Sequence, residues 1–169
     1  MNKASPFDPS SVLYENFLIS LPPQARLAWS VAIATGLRIS DILRLKVTDL
    51  KPFMTVKEKK TGKYRNISMP LNLIELLKQN GRKSNSQFCF PSSKDPMKPI
   101  HRDTIAAQIE KAKNACGIKD ITISIHSARK MYAIRKFHET GDHRAVQKDL
   151  GHRHEGTTLV YIYGAREAR

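Results

Sequence analysis

Acidic residues are scarce in this chain: 15 aspartates and glutamates stand against 29 lysines and arginines, a formal net charge of +14. That balance rules out an acidic, solvating protein. Cysteine is rarer still. Cys89 and Cys116 lack metal-ligand spacing and sit in apolar settings such as Phe88-Cys89-Phe90, which argues against a disulfide framework or a zinc site and predicts two buried, reduced thiols. No apolar run approaches the ~20 residues that span a bilayer, and the N-terminus carries no basic-then-apolar signal. The chain therefore reads as soluble and cytoplasmic, with no membrane partner. Internal repeats, heptad runs and low-complexity tracts are also missing, which excludes solenoids and coiled coils.

What is present is a foldable body carrying excess positive charge. With 169 residues, 40% of them hydrophobic, the chain suits one domain with one core. A basic surface on such a body attracts polyanions, and nucleic acid is the first to consider.

The order of elements follows from periodicity and punctuation. Residues 10 to 20 read as a short helix, broken by Pro22-Pro23. Gln24 to Thr35 places Leu27, Val31 and Ala34 on one face before Gly36 stops it. Ser40 is expected to cap the next helix, leaving Arg38 in the turn between the two. From Phe53 to Met69 the period changes to two, predicting a β-hairpin around Thr61-Gly62. Residues 51 to 66 hold Lys51, Lys57, Lys59, Lys60, Lys63 and Arg65 against Glu58 alone, a concentrated positive edge. Asn72 and Glu75 read as a capping box for a helix ending at Gly81, and Phe88 to Phe90 as a short strand. Four further helices are expected: Asp103 to about Ala115, His126 to Thr140, His143 to Leu150, and Thr157 to about Tyr163. The class is α+β, mainly helical, with a small antiparallel sheet made of the hairpin plus the short strand.

The fragments Thr35-Gly36-Leu37-Arg38-Ile39-Ser40-Asp41, His126-Ser127-Ala128-Arg129, Leu150-Gly151-His152 and Thr157-Thr158-Leu159-Val160-Tyr161 carry the functional signal. Together with the hairpin lysines they resemble the tyrosine recombinase (phage integrase) family from about Leu27 to Tyr161. The family order is arginine, hairpin lysine, His-x-x-Arg, Leu-Gly-His and a tyrosine nine residues after that histidine. Each fragment alone is weak; their order on suitable elements is specific.

The resemblance implies a site-specific DNA recombinase that cleaves and rejoins strands through a 3′-phosphotyrosyl intermediate. Arg38 and Arg129 would clamp the scissile phosphate, because a planar guanidinium binds two oxygens at once and keeps its charge. His126 and His152 would add hydrogen bonds, and Asp41 would support the site. Tyr161 would be the nucleophile, its attack helped by the positive surroundings. Lys60 would protonate the leaving 5′-oxygen, with Lys59 and Lys63 close enough in the turn to exchange with it. Lys59, Lys63, Arg65 and Lys130 are expected to contact the DNA backbone. No metal or nucleotide is required. Taken alone, Arg38 would read as a surface arginine paired with Asp41.

The family also implies double-stranded DNA as partner, a tetramer on paired sites, and an accessory DNA-bending protein as a further candidate. Residues 1 to 169 are expected to form a single catalytic domain with the N-terminal core-binding domain absent. Two alternatives stay open: a non-cleaving DNA-binding module on the same fold, and type IB topoisomerase-like relaxation without exchange.

Overall fold

Pro23 and Gly36 bracket the first long helix because their backbones suit those places. A proline in the first turn has no N–H to leave unpaired, and a glycine just past the end accepts the left-handed conformation. In a computed structural model, which describes residues 7, 8, 10–151 and 155–163, helix α2 accordingly runs Pro23–Thr35, with Gly36 at φ +64°. It follows α1 (Val12–Ser20) and precedes the single turn α3 (Ile39–Ile42). A 3-10 turn (Val47–Asp49) leads to the hairpin, β1 (Phe53–Lys57) and β2 (Tyr64–Ser68), paired antiparallel with Val56 opposite Arg65. Helices α4 (Leu71–Lys83), α5 (Arg102–Ala115), α6 (Ile125–Thr140), α7 (His143–Leu150) and α8 (Glu155–Tyr163) complete the order.

The main core gathers Phe17, Trp29, Leu37, Ile42, Leu77, Phe90, Ile105 and Ile109. Trp29 packs edge-on against Phe17 with ring centroids 5.0 Å apart, and its indole N–H donates to the Tyr14 hydroxyl at 3.2 Å. A second, smaller cluster of Tyr132, Ala133, Val146, Leu150 and Ile162, flanked by Phe137 and Tyr161, binds α8 to α6 and α7. Helix α6 contributes to both clusters and so ties them together. No helix among the described residues is long and apolar enough to cross a membrane.

Several local expectations are corrected. Ser40 does not cap α3: the helix begins two residues earlier than that cap would set it, Arg38 holds the N-cap position, and the Ser40 hydroxyl turns to Asp41 at 3.4 Å. Asn72 and Glu75 form no capping box. Pro70 precedes α4, so Asn72 lies within the first turn, where its Oδ1 accepts from Leu73 N at 2.9 Å. Gly81 does not end α4, which continues to Lys83. A Cβ on Gly81 would lie 2.5 Å from Val47 Cγ2 and 2.7 Å from the Phe88 carbonyl, so glycine serves close packing here. The Phe88 segment is no third strand of the sheet, which has two strands; Phe88 makes an isolated bridge with Lys46, and Cys89 N donates to Leu45 O at 2.9 Å. Cys89 is buried, and that burial, with Asp49 nearby, pushes its thiol up to about 12. Cys116 is only partly buried, with its Sγ 3.4 Å from the Ser20 hydroxyl.

Candidate active site

The last carbonyls of a helix have no partner within it and carry the negative end of its dipole. At the end of α2 three arginines meet this need. Arg135 donates to Ile33 O at 3.1 Å, Arg65 to Thr35 O at 2.5 Å and Gly36 O at 3.1 Å, and Arg129 also to Gly36 O. The other amino group of Arg129 reaches Leu150 O at 2.6 Å. Arg129, only 2% exposed, is thus suspended between the end of α2 and the Leu150-Gly151 turn. Burial first, then the charges of Arg38 and Arg65, lowers its pKa to about 10, while Tyr161 and Glu58 act in the opposite sense. It remains a cation at neutral pH.

Behind this cluster Arg65 also pairs with Asp149 at 3.5 Å and lies over the Tyr132 ring, 5.8 Å from its centroid. The Tyr132 hydroxyl donates to the same aspartate. Burial and the Asp149 carboxylate push that phenol up to about 12.

The hairpin turn is held from below by two buried carboxylates. Glu58, 2% exposed, pairs with Arg38 Nη1 at 2.7 Å and accepts from the Thr61 hydroxyl at 2.7 Å. Its main chain closes the turn, accepting from Gly62 N and donating to Lys63 O, both at 2.9 Å. Burial works against the Glu58 charge, but the Thr61 hydroxyl, Arg38 and Arg129 outweigh it and hold the carboxyl below its ordinary value. Asp41, equally deep, accepts from Lys59 N at 2.9 Å. Gly151 passes close by: a Cβ there would sit 3.2 Å from Glu58 Oε2.

His126 stands in the first turn of α6, one helical turn before Arg129, with Ser124 capping the helix. The histidine is exposed, yet its pKa is lowered, first by partial desolvation of the ring and then by the charges of Arg129, Arg38, Lys130 and Lys60. The charges of these four cations, from the N-cap of α3, the hairpin turn and α6, therefore all bear on one imidazole. Lys130 Nζ lies 5.5 Å from the centroid of the Tyr161 ring, and Tyr161 also interacts with Arg129. Helix α8 delivers this tyrosine from the same chain.

The structure thus brings together Arg38, Lys60, His126, Arg129 and Tyr161, with Asp41 beneath them. His152 lies outside the described residues. Arg38 pairs with Glu58 and not with Asp41, because Asp41 is engaged by the Lys59 amide. Two expected DNA contacts are placed inside the protein. Arg65 is buried and donates to α2 carbonyls, and Lys130 is buried against Tyr161. Lys59 and Lys63 stay exposed on the hairpin. The sequence does not single out Glu58, Tyr132 or Asp149 as parts of the site, and it assigns Arg65 to the DNA backbone rather than to the α2 carbonyls. The one available signal was Glu58 standing alone among six basic residues.

The profile of the phage integrase family matches residues 13–167. Tyrosine recombinase XerA of Pyrococcus furiosus is 30% identical over 142 residues, covering 80% of this chain and 49% of that protein. The probable integrase/recombinase YoeC of Bacillus subtilis is 32% identical over 133 residues, covering 77% and 72% respectively. Among solved structures, a lambda integrase tetramer bound to a Holliday junction superposes with a TM-score of 0.74 at 19% identity, covering 95% of this chain and 48% of that one. The chain spans about half the length of the first curated relatives it matches.

Proposed function

Because the chain belongs to the phage integrase family, we propose that it is the catalytic domain of a site-specific recombinase that cuts and rejoins double-stranded DNA. The observation that supports this most directly is that Lys130 Nζ lies 5.5 Å from the Tyr161 ring, with Tyr161 also felt by Arg129, while the charges of Arg38, Arg129, Lys60 and Lys130 all bear on His126. Tyr161 passes its phenolic proton to His152 and its oxygen attacks phosphorus: a P–O bond to tyrosine forms, the P–O5′ bond breaks, and the 5′-oxygen takes a proton from Lys60. Arg38 and Arg129 face the charge that builds on the non-bridging oxygens, and His126 adds a hydrogen bond. His152 is assigned the second such bond. Attack by a different 5′-hydroxyl on the 3′-phosphotyrosyl ester reverses the step and completes strand exchange. One phosphoester replaces another throughout, so the bond is retained.

Exchange between two sites needs four active centres, which we assign to four copies on paired DNA sites. Relaxation without exchange would use the same ester in a single copy. The test is incubation with a pool of nicked duplexes, from which the cut fragment escapes, followed by denaturation and peptide mapping. A covalent adduct on Tyr161 is expected. Tyr161→Phe should bind DNA as wild type does and form no adduct. Arg38→Ala should weaken binding and slow adduct formation by about 100-fold or more. An adduct on another residue, or one that survives Tyr161→Phe, overturns the assignment. Salt-sensitive binding with no adduct would favour a non-cleaving DNA-binding module.

A further inference from the structure

We infer that Glu58 is a positioning residue that locks the Lys60 turn onto Arg38, so that proton donor and phosphate clamp move as one unit; this rests on the strand-transfer reading above. The carboxylate has two oxygens and uses them on two parts of the site. Oε1 meets Arg38 Nη1 at 2.7 Å, and Oε2 receives the Thr61 hydroxyl at 2.7 Å. Residues 59 and 60 lie between those anchors. The Glu58 carbonyl also takes the Gly62 amide at 2.9 Å, which closes the turn. Lys60 itself is exposed, and an exposed lysine on a free turn would sample many positions; here its backbone is held at both ends.

A guanidinium offers five N–H donors in a fixed fork. Glu58 fixes Arg38 through Nη1 and leaves further donors for two phosphate oxygens. A carboxylate buried to 2% exposure is costly unless paired, and a role in solubility or surface charge is closed to a group so deep. The neighbouring Gly151, whose Cβ would come within 3.2 Å of Oε2, brings the turn that leads to His152 against the same carboxylate. Glu58 therefore touches three of the segments the chemistry draws on, while being too deep to meet DNA.

The experiment compares wild type with Glu58→Ala, Glu58→Gln and Thr61→Val. Hydrogen exchange of the DNA-free protein is read at the amides of Lys59, Gly62 and Lys63. Adduct formation is read on nicked duplexes carrying the sequence recovered from the wild-type adduct, with either an ordinary phosphate or a 5′-bridging phosphorothiolate. In the latter the leaving group is a thiolate and needs no proton. Glu58→Ala should speed exchange in the turn by about tenfold or more while the amides of β2 stay protected. It should slow adduct formation by about tenfold or more on phosphate, with most of the loss recovered on phosphorothiolate. Glu58→Gln, which still accepts from Thr61, should fall between. Thr61→Val cuts the tie from the other side, leaves the Arg38 pair intact, and should reproduce the loosened turn and the phosphorothiolate recovery if Glu58→Ala fails to fold. Unchanged exchange in the turn overturns the inference, as does a defect that phosphorothiolate leaves undiminished. A wild-type protein that forms no adduct on any duplex refutes the recombinase reading instead, and the exchange data still decide the role of Glu58.

Discussion

A histidine that feels the charge of four cations holds its proton loosely until an anion arrives. His126 is depressed below its ordinary 6.5 in the free protein by partial desolvation of the ring and by Arg129, Arg38, Lys130 and Lys60. A bound phosphate offsets those charges, so the pKa in the complex lies above that in the free protein, and binding takes up a proton. DNA affinity should therefore rise as pH falls through the bound-state pKa and level off above it. Titrating affinity by fluorescence anisotropy between about pH 5 and pH 8 checks this. The pH-dependent part should shrink in His126→Gln, and an identical profile in both proteins would refute the linkage. The His-x-x-Arg spacing made this histidine legible, because three residues on a helix place two side chains on one face. Nothing local to Glu58 revealed its partner, since Arg38 lies outside the hairpin.

Helix α2 shows how one terminus organises the site. Gly36 has φ +64°, and a Cβ there would lie 2.5 Å from the Tyr132 ring. Gly62 has nearly the same φ, +68°, with nothing within 4 Å. Gly36→Ala combines backbone strain with a clash and should destabilise by about 2–4 kcal/mol, whereas Gly62→Ala bears the strain alone, about 1–2 kcal/mol. Denaturant titration of both variants separates the two contributions. Equal losses would mean that the Tyr132 ring yields without strain. The sequence marks Gly36 as a helix stop, but the ring that closes over it comes from α6. The same distinction explains Gly81, a stop signal by local rules that instead lies inside α4 against Val47 and Phe88.

The charge of +14 divides between a surface share and an internal one. Lys63 is exposed on the hairpin, while Arg65 two residues later is buried against α2 and Asp149. Lys63→Gln should reduce the slope of log affinity against log salt by about 0.9, the effect of one lost phosphate contact. Arg65→Gln should leave that slope unchanged and destabilise the fold by about 2 kcal/mol or more, since it takes a buried guanidinium away from the α2 carbonyls and from the half-buried Asp149. Binding isotherms at several salt concentrations and thermal melts of the two variants test both statements together. Stability should also decline in alkali. Cys89 and Tyr132 are both raised to about 12 in the folded chain, so the stability they contribute is complete below their unfolded values of about 9 and 10. It is lost as pH rises through the folded ones. Denaturant midpoints between pH 8 and pH 11 should fall in wild type and less steeply in Cys89→Ala.

Helix ends at Gly36, Gly141 and Gly151, the two-residue period of the hairpin, and the order of arginine, lysine, His-x-x-Arg and tyrosine were all readable along the chain. Each depends on backbone preference or on spacing within a few residues. The identity of the partners was not. Arg65 reaches Gly36 across 29 positions and Arg129 across 93, and Asp41 reaches the Lys59 amide across 18. Basic residues on a hairpin look alike as letters, yet one alternate face of a strand meets water and the other meets the core. Which lysines and arginines serve DNA and which hold the site together is therefore settled by where α2, the hairpin and α6 come to rest against one another, because a buried guanidinium must find carbonyls or carboxylates there to remain charged.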